Sequence, residues 1–344
     1  MALLLADGFD CYANDTQWIE SGWARQSASV PAIHLTEGRF GGGCIKATSN
    51  SQARVGVYVA QGGTVIVGFS YKHDGLGTAA DTLLIGRSTF GAQLFRLEHN
   101  TTGDLKAFNN PNTQVGSTAT AALAADTWYW IECKVVLGTT ASDGSIEVKV
   151  DGTTLITATS IDTFVSGEHL VAVKIGGGDG IHWIDDVVIM DAGGSTMNNF
   201  IGPTRIDTLS PNAAGGTTNW TAVGAGSQLA AVDDAANATN DDTDYIESKT
   251  AAQEARFGLA DLTVEPNNIW GVQVRARTKK EDAGPRTVRT LINSNSVEAL
   301  GTTRGAPTNY AWVRGGPHYV DPNTSAAFNA AGINALQAGV EIVA

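Results

Sequence analysis

Trp128-Tyr129-Trp130-Ile131-Glu132-Cys133-Lys134-Val135-Val136-Leu137 is the stretch that decides the fold. Tyr129, Ile131, Cys133, Val135 and Leu137 fall on one face, and Glu132 and Lys134 on the other. Residues two apart share a face only when the chain is extended, so this spacing predicts a strand half buried on a sheet. Glu132 is read as solvent-facing on this pattern. The next stretch repeats the signal: Ile146, Val148 and Val150 alternate with Glu147 and Lys149, and Asp151-Gly152 follows. Glycine takes positive φ without strain and aspartate tolerates it, so the pair predicts a tight turn into a return strand over 153–159.

Working outward, short β-rich runs at 54–59, 64–72, 81–85 and 92–99 precede this hairpin, and runs at 170–175 and 182–190 follow it. The last two flank Gly176-Gly177-Gly178-Asp179-Gly180, read as a flexible connection because no Gly-Lys-Ser/Thr and no helix follow to make it a phosphate cradle. So many short strands suit a two-sheet sandwich or jelly roll. Asp191-Ala192-Gly193-Gly194 and Gly202-Pro203 break the pattern, which places one domain at 1–195 and a second at 203–344. The second opens with a polar, Ala/Gly/Asn-rich stretch over 210–242, then offers strands at 244–248, 254–259, 269–277, 287–293, 310–313 and 340–343. One short helix is expected in the alanine-rich stretch after Asp321-Pro322-Asn323, with Thr324 or Ser325 as its N-cap. The fold class is therefore all-β, two sandwich (jelly-roll-like) domains with at most one short helix near the C-terminus.

The 344 residues are 42% hydrophobic and 17% charged, a globular balance, with a net charge of −13. That acidity repels phosphate backbones and anionic lipid, so neither nucleic acid nor membrane is an expected partner. No run reaches the roughly 18 apolar residues of a membrane helix. The opening Met1-Ala2-Leu3-Leu4-Leu5-Ala6-Asp7 is too short for a secretion signal and lacks its basic start, so folding in a cytoplasm is expected. Cys11, Cys44 and Cys133 lie far apart and read as free thiols, Cys133 as a core residue, with a Cys11–Cys44 disulfide as the alternative.

The first half resembles the concanavalin A-like lectin/glucanase (laminin-G-like) sandwich. The likeness lies in Asp7-Gly8-Phe9-Asp10 with Trp18 and Trp23, in Asp126-Thr127-Trp128-Tyr129-Trp130-Ile131-Glu132 with the hairpin at Asp151-Gly152, and in Ile184-Asp185-Asp186-Val187-Val188-Ile189. The second half resembles a domain of tailed-bacteriophage tail and fibre proteins. The residues that carry this are Asp244-Tyr245-Ile246-Glu247-Ser248, Ile269-Trp270-Gly271-Val272-Gln273-Val274 and the ending from Asp321 to Glu341. Together the resemblances imply a non-enzymatic virion-surface protein, in tail or fibre, made in the host cytoplasm and assembled with other phage virion proteins as a homo-oligomer, a trimer above all. A capsid decoration protein and a glycan depolymerase are the alternatives. In such sandwiches Asp185 and Asp186 imply a structural closure onto the N-terminal strand.

Chemistry is sparse in the sequence. A retaining glycosidase needs two carboxyls about 5–5.5 Å apart, and no E-x-D-x-x-E strand occurs. The G-x-S-x-G and H-E-x-x-H motifs are missing too. His34, His73, His99, His169, His182 and His318 read as scattered, so no catalytic residue, metal ligand or cofactor is assigned. The acidic stretch from Asp233 to Asp244 lacks the spacing of a calcium loop and reads as solvated. Trp128 and Trp130 share the face opposite Ile131 and are the expected host-glycan contact. Arg275, Arg277, Lys279 and Lys280 cluster in an acidic chain and are read as a subunit contact.

Overall fold

The structure, a computed structural model, describes residues 3–25, 31–48, 51–75, 79–234 and 242–344. It divides into two compact units, Met1–Ile206 and Asp207–Ala344.

The first unit is a sandwich of two antiparallel sheets. One sheet runs Thr153–Ile161, Gly144–Val150, Tyr129–Val136, Thr64–His73, Ile181–Asp191, Cys44–Thr48, Pro31–His34, with Leu3–Asp7 paired to the far half of Ile181–Asp191. The other runs Gln114–Ala119, Leu105–Phe108, Gln93–His99, Asp81–Ser88, Leu170–Ile175, Ala53–Val59, Trp23–Arg25. The hairpin turn forms as its residues require: Asp151 has φ +48° and Gly152 +83°, and Asp151 Oδ1 accepts the Trp130 N–H at 2.9 Å. Ile131, Cys133 and Val135 stand opposite Phe69, Val67 and Val65 and are fully buried between the sheets. All three cysteines are free thiols. A helix not foreseen from sequence, Asp15–Glu20, is capped by Asn14, whose side chain accepts the Gln17 N–H at 3.1 Å.

The outer face of the first sheet is where alternation misleads. Glu132 is fully buried there, not solvated, and so is Trp130. The segment through residues 199–206 lies over them. Glu132 Oε1 accepts the Ile201 N–H at 2.8 Å, and Glu132 Oε2 the Gly202 N–H at 3.2 Å. Asp186 Oδ1 accepts the Ile206 N–H at 2.7 Å, and Asp185 Oδ2 the Arg39 N–H at 2.8 Å. The carboxylates thus satisfy backbone donors of an irregular segment that would otherwise be buried unpaired. Asp185 and Asp186 close the sheet against this segment and the loop near Arg39, while Leu3–Asp7 joins by backbone pairing, Asp7 opposite Val187.

The second unit is built on one sheet, Pro211–Thr218, Glu254–Leu259, Gln337–Ile342, Thr287–Ser294, Val297–Leu300, with Arg304–Gly305 also on Thr287–Ser294. Two ribbons accompany it, Thr221–Val223 with Tyr245–Glu247 and Arg275–Thr278 with Ala311–Arg314. Ile292, Phe328, Ile333 and Leu336 form one small core. The expected helix is Ala330–Asn334, but its cap is Asn329, which accepts the Gly332 N–H at 2.8 Å. Thr324 and Ser325 instead lie in a turn, with Ser325 N–H bonded to the Asp321 carbonyl at 2.8 Å.

Candidate functional site

The expected tryptophan pair does not form a sugar platform. Trp130 is fully buried beside Gly68, where an added Cβ would come within 2.6 Å of the indole. Only Trp128 stays partly open, and Lys72 Nζ lies 5.3 Å from its ring and 4.3 Å from that of Trp183. Beside them Glu37 accepts from Lys46 at 2.9 Å and from the Trp183 indole at 2.6 Å. The Lys46 bond above all, then that of Trp183, holds its carboxyl down at about 2. This face is a network of satisfied charges.

An open aromatic surface lies instead at one end of the second sheet. Leu170 stands opposite Val59 on one neighbouring strand and opposite Ser88 on the other. That register sets Tyr58, His169 and the turn at Thr89-Phe90 side by side. The Tyr58 and His169 rings are 5.3 Å apart. Thr89 Oγ1 accepts the His169 N–H at 3.3 Å, and Glu168 Oε2 accepts the Phe90 N–H at 3.2 Å. Tyr58 is 63% exposed and Phe90 84%. Next to Tyr58 opens a cleft of about 460 Å³ lined by Val59, Ala60, Gly63, Thr64 and Asp191. Flat apolar rings beside hydroxyl and carboxylate groups suit a ligand with both apolar faces and hydroxyls. No spacing pattern marks these residues; the strand register alone assembles them.

Three of the six histidines, His73, His99 and His182, are gathered in one place rather than scattered, while His34, His169 and His318 lie apart. On the first sheet His182 stands opposite His73, and on the second Asp81 stands opposite His99. These two pairs face each other at the end of the sandwich away from Tyr58. All four residues, with Tyr71, are buried. Asp81, His99 and His182 are the ones whose side chains converge closely enough to hold a metal ion. The glycine run is the lid of this cluster rather than a flexible connection. Gly176, Gly177 and Gly178 are buried, and a Cβ on Gly178 would lie 1.7 Å from Asp81 Oδ1.

In the second unit, Arg277 and Lys279 each lie 4.7 Å from the centre of the Tyr310 ring. Lys279 also pairs with Asp242, and Lys280 donates to the Gly284 carbonyl. These cations are engaged within their own unit. Residues 235–241 of the acidic stretch lie outside the described residues.

No protein-family model matches the sequence, and no curated protein matches it. Among solved structures, the cellulose-induced protein Cip1 superposes with a TM-score of 0.41 at 16% identity, over 54% of this chain and 96% of its own. The endo-β-1,4-glucuronan lyase of the fungus Trichoderma reesei gives 0.40 at 11% identity, over 55% and 95%. The alginate lyase vAL-1 from Chlorella virus gives 0.40 at 12% identity, over 55% and 99%. The sandwich itself is established by the strand order and registers of this chain.

Proposed function

We propose that the protein is a non-enzymatic structural and recognition component of a tailed-phage particle, and that it contacts host-surface glycan through the Tyr58–His169–Phe90 end of its first sandwich. The observation that carries the recognition half is the exposure of two large rings, Tyr58 and Phe90, on a rigid β scaffold beside an open cleft. Adjacent uncovered apolar groups of this size mark interaction surfaces. Sugars present C–H faces that stack on such rings, and Asp191, Thr64 and Glu168 supply polar partners.

The non-enzymatic half is supported by the acids of the first sheet. Glu132 and Asp186 accept N–H groups of the covering segment, and Asp185 accepts the Arg39 N–H of a neighbouring loop. Carboxyls used in this way hold the fold together. The phage assignment is supported by the sequence resemblances of both halves. On this reading the partners are other virion proteins, the assembly is a homotrimer, and Arg275, Arg277, Lys279 and Lys280 meet an acidic neighbour.

Binding of the whole protein to a panel of bacterial surface polysaccharides, beside Tyr58→Ala and Phe90→Ser, tests the recognition site. Binding that the two substitutions abolish, at unchanged thermal stability, supports it. Binding unaffected by both refutes the site, and release of new reducing or unsaturated ends replaces the reading with a depolymerase. Immunogold label on tails or fibres supports the particle assignment, label over heads moves it to capsid decoration, and unlabelled particles refute it.

A further inference from the structure

The buried cluster opposite the Tyr58 end has a hydrogen-bond pattern that can be traced atom by atom. His99 Nδ1 lies 3.2 Å from the Asn100 carbonyl. A carbonyl only accepts, so Nδ1 carries the proton and His99 Nε2 presents a lone pair. Tyr71 Oη lies 2.8 Å from that Nε2 and donates to it. The same oxygen lies 2.7 Å from His182 Nδ1, from which it accepts. His182 Nε2 is therefore left with a bare lone pair.

That lone pair faces another acceptor. Asp81 Oδ2 lies 3.8 Å from His182 Nε2 and 3.7 Å from His99 Nε2. Neither Asp81 Oδ2 nor His182 Nε2 has a hydrogen-bond partner among the described residues, and both residues are at most 1% exposed. The separations are too long for direct hydrogen bonds. A buried carboxylate oxygen and a buried imidazole lone pair, both acceptors, are costly to leave unpaired, and a cation between them satisfies both at once. His73 adds a further imidazole, its ring 5.0 Å from that of His99 and its Nε2 also without a partner among the described residues.

We propose that Asp81 Oδ2, His99 Nε2 and His182 Nε2 bind one divalent transition-metal ion of the zinc class, which ties the two sheets together. Two imidazoles and one carboxylate are a donor set for zinc rather than for calcium or magnesium, which take oxygen ligands. Metal–ligand bonds of about 2.0–2.1 Å in tetrahedral geometry set ligand atoms roughly 3.3 Å apart. The observed 3.7 and 3.8 Å therefore need an inward shift of a few tenths of an ångström. The surrounding bonds orient the ligands as metal sites require. Tyr71 accepts from His182 Nδ1, Asn100 accepts from His99 Nδ1, and the Asp179 N–H holds the second Asp81 oxygen at 2.7 Å. Binding at His99 Nε2 breaks the hydrogen bond from the Tyr71 hydroxyl, which keeps its proton and turns away, while its oxygen still accepts from His182 Nδ1. His182 comes from one sheet and Asp81 and His99 from the other, so the ion would staple the sandwich at this end.

The test is titration of the chelator-stripped, full-length protein with Zn²⁺ and then Co²⁺. One equivalent of Zn²⁺ per chain, with a raised Tm and tetrahedral Co²⁺ absorption, is expected. Asp81→Asn and His182→Gln should lose that equivalent or weaken it by roughly 100-fold, while His34→Gln leaves it unchanged. Wild-type protein that binds no metal above background overturns the proposal without recourse to variants. So does an equivalent that survives both cluster substitutions in folded protein, or one that His34→Gln removes.

Discussion

Trp130→Ala separates a core residue from a sugar-binding one. Trp130 has 0% of its surface exposed. A buried aromatic of this kind removes roughly 200 Å² from water, which at about 25 cal/mol per Å² is worth about 5 kcal/mol. Residual burial in the unfolded chain lowers this by about 10–40%, to roughly 3–4.5 kcal/mol, and truncations of buried Trp or Phe to Ala cost about 3–5 kcal/mol. At about 2–4 °C per kcal/mol for a domain of this size, the first unit should melt roughly 6–18 °C lower. Calorimetry of the whole protein reads this as a shift of one transition. A second substitution sharpens the test. An added Cβ on Gly68 would lie 2.6 Å from the Trp130 ring, so Gly68→Ala should destabilise the parent but cost less once Trp130 is alanine. The expected coupling is above about 1 kcal/mol. The reasoning fails if Trp130→Ala costs under about 1 kcal/mol, if the two changes add independently, or if glycan binding disappears at an unchanged Tm.

Two further outcomes follow from the covered face of the first sheet. Glu132→Ala leaves the Ile201 and Gly202 N–H groups without their acceptor, at a cost of about 1–3 kcal/mol; hydrogen exchange should accelerate at those two amides, and unchanged protection would refute the covering role of the 199–206 segment. Burial first, then repulsion from Asp186, raises the Asp185 carboxyl well above the ordinary carboxylate range, and burial raises that of Asp186. The folded state then holds protons that the unfolded state has lost, so this pair's contribution is full at low pH and is lost as pH rises through the folded values. An unfolded histidine is half protonated at about pH 6.5 and essentially neutral above about pH 7.5, so the Asp185 contribution stands clear of the histidines only there: Tm should fall from about pH 7.5 to 9, and Asp185→Asn should flatten that slope; a parent Tm that is level or rising there would refute it.

Alternation made the hairpin legible. Ile146, Val148 and Val150 report one buried face, and Asp151-Gly152 reports the turn because few residue pairs accept its positive φ angles. The same rule misread Glu132, since a period of two says which residues share a face but not what covers it. The covering segment comes from residues 199–206, about seventy positions away, and carries no pattern of its own. Glycine in the 176–180 run signalled only a departure from regular strand. Its actual reason, room for Asp81, depends on a residue nearly a hundred positions earlier.

By itself, then, the sequence determined an all-β chain with its central strands and tight hairpin, because those follow from local periodicity and turn stereochemistry. Tertiary structure alone decided the rest. It put Glu132 and Trp130 under cover, set Tyr58 beside His169, and brought Asp81, His99 and His182 within ligand distance. The cover over Glu132 comes from an irregular segment distant in the chain, and the other two depend on the register between strands far apart in it. A register shift of one residue turns every side chain to the other face, and no local pattern within a single strand encodes which partner it will meet.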